Sequence, residues 1–454
     1  MTELKLGSSY ETQVTIPTSG GTFFGSLKIT PKKITLVVSG DEFEDRKWPY
    51  SEPENKELEC HSTREHFKLI GLTMNNWSGM LLATHPKLIS SIQITYSIEC
   101  VAMSHKHQAN RSNYHSITIH SDTIKKWIGQ TEKQREIAAS QITPPNYNGS
   151  ISEFKVGLKN QDTIGISYSI EKSYSLPNFH AGMKFPPYIH YYSCEPLSLE
   201  DAINKIKKIY SFFSFITNKG MNINQIILNS GTHKTYLYTL LPEERKIDTI
   251  LYPYSEPDKA QLLGKTRFLI DYIRNYFELE DKSQEYFYKY LKYSRMTNPE
   301  DSFLGYFRIL ENLCIIEKQH FSDETINEIC AETKSSLLQK KISNKDAVSF
   351  IRGMKRLNKS KYNTEKCIQE FYKTLPSKTR NLWKFNKEKI SEICKLRNDI
   401  THANDYSIDD SALIENLVFL DALLTVALLK EIGVEDESIH EVSRRIDHYY
   451  FIAF

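Results

Sequence analysis

The stretch ICKLRNDITHAND, residues 393–405, closes a run of helical periodicity with a cluster of polar side chains: Arg397, Asn398, Asp399, Thr401 and His402. A helix with about 3.6 residues per turn places Asn398 and His402 on one face, where the amide can orient the imidazole, with Arg397 alongside, offset by about 140°. These groups suit RNA cleavage without a metal. A neutral imidazole, titrating at about pH 6.5, can take a proton from a ribose 2′-hydroxyl or give one to a leaving 5′-oxygen. A guanidinium can hold the non-bridging oxygens and offset charge in a pentacovalent transition state. One imidazole cannot easily be both acid and base at one phosphate, so two copies of the motif facing each other across a two-fold axis would complete the chemistry. The plainer reading of His402 is a cation at a helix C-terminus, favoured by the helix dipole. Arg-x-x-x-x-His by itself is a weak motif.

Other candidates are weaker still. The sequence GKT at 264–266 has Lys259 where a phosphate-binding loop needs glycine. His105, His107, His115 and His120 lie close together in sequence, but no cysteine or acidic ligand joins them at regular spacing, so a polar strand surface is the stronger reading than a metal site. The seven cysteines are scattered, odd in number and free of any C-x-x-C pair, which argues for reduced, mostly buried thiols and against a disulfide framework or zinc knuckle. No cofactor and no metal are expected. The first residues have no signal-peptide core, and no uncharged apolar run reaches the roughly 18 residues of a membrane span. The expected location is the cytoplasm, with no membrane partner.

The elements that must position these residues fall into two parts. At 454 residues the chain exceeds one ordinary core. Short alternating runs such as GTFFGSLKIT, KITLVVSG, LISSIQITYSIEC and YHSITIHS fill the front and predict many antiparallel strands, in a sandwich or a curved sheet. FKVGLKN with TIGISYSIEK reads as a hairpin, LSLEDAINKIKKIYSFFSFITN as a helix, and MNINQIILNS with THKTYLYTLL as two further strands. From about residue 256 onward the periodicity is helical. The fold class is therefore α+β: a β-rich domain over 1–255 and a helical bundle over 256–454, its core at about 300–433. The last helix, SALIENLVFLDALLTVALLKEIG, is apolar on nearly all sides, with Glu415, Asn416 and Asp421 as polar breaks. Such a helix must be covered, by the bundle and by a homodimer partner. The tail RRIDHYYFIAF should pack on its own domain or on a neighbouring subunit.

Charge is uneven. Residues 331–400 hold 18 basic and 7 acidic side chains, so this window carries +11 in a chain of net +2. The basic residues include Lys334, Lys340, Lys341, Lys345, Arg352, Lys355, Arg356, Lys359 and Lys361, then Lys378, Arg380, Lys384, Lys387, Lys389 and Lys395. Tyr362, Phe371, Tyr372, Trp383 and Phe385 are interleaved with them. That pattern suits a phosphate backbone with stacked bases, and solvated helix faces are the alternative.

A helix ending in R-N-x-x-x-H, then a polar turn and a last apolar helix, resembles the HEPN domain, whose catalytic members are metal-independent endoribonucleases that act as dimers. YFRILENLC resembles the first core helix of such domains, with Glu311 where several members carry an acidic residue. With the strand-rich front opening on GTFFGSLKIT, the whole chain is similar to ApeA-type anti-phage defence proteins. The resemblance is specific over about 300–433 and general before that. It implies that Arg397 and His402 are the catalytic pair with Asn398 beside them, that Asp399 and Glu311 support them, and that activity is held in check until infection. The implied partners are cellular RNA, with tRNA as one candidate, a second copy or higher homo-oligomer, and a phage-encoded protein as one candidate trigger. Two other readings stay open. One is an inactive HEPN module that dimerises or binds RNA; the other is a front domain that binds a glycan or viral protein while the helices only dimerise.

Overall fold

The structure is a computed structural model of the whole chain, and it describes all residues except 1–3, 20, 43–47, 49–56, 83–88, 106–112, 140–150, 176–179, 219, 232, 241–248, 256–267, 317–319, 359–361 and 403–407. GKT, His107, Lys359 and Lys361 lie outside the described residues. Two compact units part between Glu280 and Asp281.

The first unit is built on sixteen strands: β1 (Tyr10–Thr18), β2 (Gly21–Ile29), β3 (Ile34–Glu42), β4 (Glu57–His61), β5 (Glu65–Ile70), β6 (Thr73–Leu82), β7 (Ile89–Ser97), β8 (Cys100–His105), β9 (Tyr114–Ser121), β10 (Ile151–Gly157), β11 (Thr163–Tyr168), β12 (Glu171–Ser175), β13 (His180–Lys184), β14 (Pro187–Leu197), β15 (Ile223–Ser230) and β16 (His233–Thr239). Fourteen form one sheet in the order β10-β11-β14-β9-β15-β16-β8-β5-β4-β1-β2-β3-β7-β6, and β12 and β13 pair separately. The strand-rich front is thus one large antiparallel sheet. Its alternation does what the sequence requires: Phe23, Leu27 and Ile29 of β2 and Ile34, Leu36 and Val38 of β3 all turn to one buried cluster.

Helices α1 (Asp122–Ile128), α2 (Glu132–Ala139), α3 (Leu199–Ile216) and α4 (Asp271–Glu278) complete this unit. The helix read from LSLEDAINKIKK is α3, opened by a capping box between Ser198 and Asp201. The border falls later than residue 255 because α4 packs here: Tyr276 sits 5.0 Å from Phe212 by ring centroids, and its hydroxyl donates to the Lys208 carbonyl at 3.1 Å.

The second unit holds α5 (Asp281–Tyr293), α6 (Pro299–Leu313), α7 (Asp323–Gln339), α8 (Asn344–Asn358), α9 (Thr364–Lys373), α10 (Ser377–Leu382), α11 (Lys387–Thr401), α12 (Asp410–Glu431) and α13 (Asp436–Ser443). Asn298 caps α6, with Pro299 at the first helical position. Gly305 lets α6 approach α5, since a Cβ there would fall 2.3 Å from the Tyr293 ring. The apolar helix is α12, capped by Asp409, whose side chain accepts from the Ala412 N–H at 2.8 Å. It ends in a Schellman turn in which Gly433 donates to the Lys430 carbonyl at 2.9 Å and Val434 to that of Leu429 at 3.0 Å. Although α12 is long and apolar enough to cross a membrane, 78% of its most apolar stretch is buried inside the structure. From Val418 to Leu429 every residue is buried by the protein's own chain. What remains open of its apolar surface lies near its first turns, where Ile414 is exposed and Ala412 and Leu417 are half-buried. The tail packs on its own unit: Lys384 donates its backbone N–H to Ile452 at 2.8 Å, and Phe454 donates to Leu382 at 3.0 Å.

His190 of β14 gives the first unit a pH signature. It is buried, with Nδ1 3.0 Å from the Ser167 hydroxyl. Burial, reinforced by Lys155, holds the imidazole down to about 4. The unfolded chain takes up this proton at about pH 6.5 and the folded chain only near 4, so stability falls by about 3 kcal/mol as pH drops through that window. Urea unfolding of the full chain from pH 7 to 4 should show this loss, reduced in His190→Gln.

Candidate active site on the helical unit

The site is assembled from α6, α9 and α11. On α6, Phe307 and Glu311 are four apart and so share a face. Phe307 is buried, while the Glu311 side chain keeps 29% of its surface exposed. On α11, Ile390, Ile393, Cys394 and Leu396 are buried. This packing fixes the helix that carries Arg397. The guanidinium carbon lies 5.5 Å from the centre of the Phe307 ring, Nη2 is 3.5 Å from Glu311 Oε2, and Nη1 donates to Asn398 Oδ1 at 3.0 Å. Glu311 is itself held, because Thr364 at the start of α9 donates its hydroxyl to Oε1 at 2.6 Å. A second clasp joins α9 to α11: Ser391 donates to Glu365 at 2.5 Å, and Gln369 donates to the same oxygen at 3.0 Å.

His402 is the C-terminal cap of α11, and its backbone N–H donates to the Asn398 carbonyl at 2.9 Å. Its side chain is exposed one turn beyond Arg397. The sequence suggests that the Asn398 amide orients the imidazole; in the structure that amide oxygen accepts from Arg397 instead. Asp399 is half-buried on the same helix. Of the two partners open to Glu311, Arg308 and Arg397, the structure records an ion pair with Arg397. Burial, with Glu365 and Glu311 adding to it, pushes the Cys394 thiol up to about 12, so this neighbour is a neutral thiol and not a nucleophile. Phe307 and Thr364 are additions to the residues read from the sequence. Phe307 precedes Glu311 by one helical turn, a legible signal, whereas nothing in the sequence ties Thr364 to Arg397.

The basic residues near this helix divide. Lys387 and Lys395 are exposed. Lys384 pairs with Glu415 at 3.5 Å, Lys389 with Glu392 at 3.1 Å, and Arg380 donates to the Leu375 carbonyl at 3.1 Å. Three of the five expected base-stacking rings are core, with Tyr372, Trp383 and Phe385 buried around Phe419 of α12, while Tyr362 and Phe371 are half-buried. The three core rings are not a stacking platform.

Among the described residues no group of three or more His, Cys, Asp or Glu could hold a metal ion. His105, His115 and His120 are separate on β8 and β9, and the His120 ring lies 5.4 Å from that of Tyr188. All seven cysteines are free, and all but Cys194 are buried.

A strand-built unit joined to a helical one, with Arg-Asn-x-x-x-His closing an inner helix against an acidic partner, defines a HEPN-type protein. Residues 10–289 match the family ApeA N-terminal domain 1, and residues 304–438 match Apea-like HEPN. The chain belongs to the ApeA family of HEPN proteins. HEPN domains are generally associated with RNA cleavage, and ApeA proteins with anti-phage defence. No curated protein and no solved structure matches the chain.

Two substitutions separate the scaffold from the site. Phe307→Ala should destabilise the helical unit by about 3–5 kcal/mol, the usual range for emptying a buried aromatic position. Glu311→Gln, at a partly exposed ion pair, should change stability by less than about 1 kcal/mol. Denaturant unfolding of the full chain measures both.

Proposed function

We propose that this ApeA-family protein is a metal-independent endoribonuclease that acts in the cytoplasm as a homodimer or higher homo-oligomer. The observation that carries the reading is the anchored Arg397 guanidinium one helical turn from the exposed His402. Phe307, Glu311 and Asn398 fix its position and leave further donors for a phosphate. Arg397 takes the non-bridging oxygens of the scissile phosphate. His402 removes the proton from the 2′-hydroxyl, whose oxygen then attacks phosphorus. The P–O5′ bond breaks, and an acid protonates the leaving oxygen, giving a cyclic phosphate and a 5′-hydroxyl. His402 of a second copy is the natural acid, because one imidazole cannot easily be both acid and base at one phosphate.

The proposed substrate is cellular RNA, with tRNA as one candidate, and the proposed trigger is a phage-encoded protein recognised through the strand-built unit. In uninfected cells the activity is held low.

Removing the acid–base group should lower cleavage by about 10²–10⁴-fold. With EDTA present, the purified wild-type protein should therefore cut cellular RNA. His402→Ala should lose that activity while retaining affinity for RNA, and Arg397→Ala should lose both activity and part of the affinity. Equal cleavage by wild type and His402→Ala would remove the basis of the proposal.

A further inference from the structure

The α7–α8 hairpin carries features that the catalytic site does not use. Its base is closed by Asn358, whose side chain accepts from the Phe321 N–H at 2.9 Å and donates to the Phe321 carbonyl at 3.0 Å. Its tip turns through Lys341, held at φ 61°, a left-handed conformation that glycine adopts more easily. Beyond the tip, α8 packs on α7, and Ala347 and Asn358 are its only buried residues.

The rest of α8 sorts into two stripes. Lys345, Arg352 and Arg356 recur at i, i+7 and i+11, which puts them within about 40° of one another along about 16 Å of helix. All three are exposed, and among the described residues none is in an ion pair. Asp346, the one acidic residue of α8, accepts from the Ser343 hydroxyl at 2.7 Å in a capping box. The second stripe is apolar: Phe350 is 56% exposed and Leu357 66%. They too are seven apart and lie within about 20° of each other.

We infer that α8 is an RNA-docking arm, in which Lys345, Arg352 and Arg356 bind successive phosphates of a single strand. The inference rests on the nuclease reading for the identity of its ligand. It moves the main RNA-binding surface away from Arg380, Lys384 and Lys389, whose side chains are engaged within the chain. Charge complementarity chooses the occupant: three cations in line, none of them in an ion pair among the described residues, suit a polyanion. A second copy would set this cationic stripe against another like it.

The test uses the full chain carrying His402→Ala, so that RNA stays intact, and a labelled single-stranded RNA of mixed sequence titrated across a range of salt. Adding K345Q, R352Q and R356Q should weaken binding at least tenfold at low salt. It should also flatten the slope of log affinity against log salt by about 2, at about 0.7 for each phosphate left without its cation. Phe350→Ala, about 140° around the helix from the cations, should leave both affinity and slope unchanged. Unchanged affinity and slope in the triple variant would overturn the arm, as would a parent chain that binds no RNA. The nuclease reading is scored separately, by wild-type cleavage in EDTA. Cleavage with an unaltered triple-variant affinity sinks the arm alone, whereas weakened binding by the triple variant with no wild-type cleavage, even after extract from infected cells is added, supports the arm and sinks the nuclease.

Discussion

The contact on which the candidate site depends is the seat of one guanidinium. Arg397 is held by the Phe307 ring, the Glu311 carboxylate and the Asn398 amide. Removing any one of these leaves a long side chain with many rotamers to choose among, and fixing them is an entropic cost. The Thr364 hydroxyl performs the same service one step back, since a carboxylate with one oxygen already bonded presents the other in a defined direction. The site is thus pre-organised through α6 and α9, although only α11 carries the motif. A cation fixed in this way is ready to receive an anion without first having to order its own side chain.

What holds α6 and α11 in place is α12. Its central turns are enclosed on all sides by the protein's own chain. Rings from the 372–385 segment pack on its Phe419, and the Tyr290 hydroxyl meets Thr425 at 3.1 Å on the other flank. Burial, with Asp421 nearby, pushes the Tyr290 phenol well above its ordinary range, which keeps it neutral. A core helix enclosed in this way is scaffold, and it has little surface left to give to a partner. By contrast, α7 and α8 each bury only two residues.

Much of this was legible in the sequence, for physical reasons. Alternation of period two revealed the strands, α3, α6 and α11 showed their periodicity because each buries a defined apolar face, and α12 stood out by being apolar nearly all round. The polar cluster at 397–402 stood out because it interrupts such a face. Helix α8 did not stand out: Gly353 and its basic residues blur the pattern, and its apolar residues face water as well as α7. Aromatic residues among lysines looked like a stacking surface, yet Trp383 and Phe385 are core. One-dimensional interleaving does not show which way a ring points. The order of the fourteen strands was out of reach as well, because neighbours such as β9 and β15 are far apart in sequence.

The measurement that tests the central claim most directly is the chemical identity of the RNA ends left by the wild-type protein in EDTA. Attack by the 2′-hydroxyl, as Arg397 and His402 are arranged to promote, predicts 2′,3′-cyclic phosphate and 5′-hydroxyl ends. Ends bearing 3′-hydroxyl and 5′-phosphate would mean that water, and not the ribose, is the nucleophile, and would contradict the account.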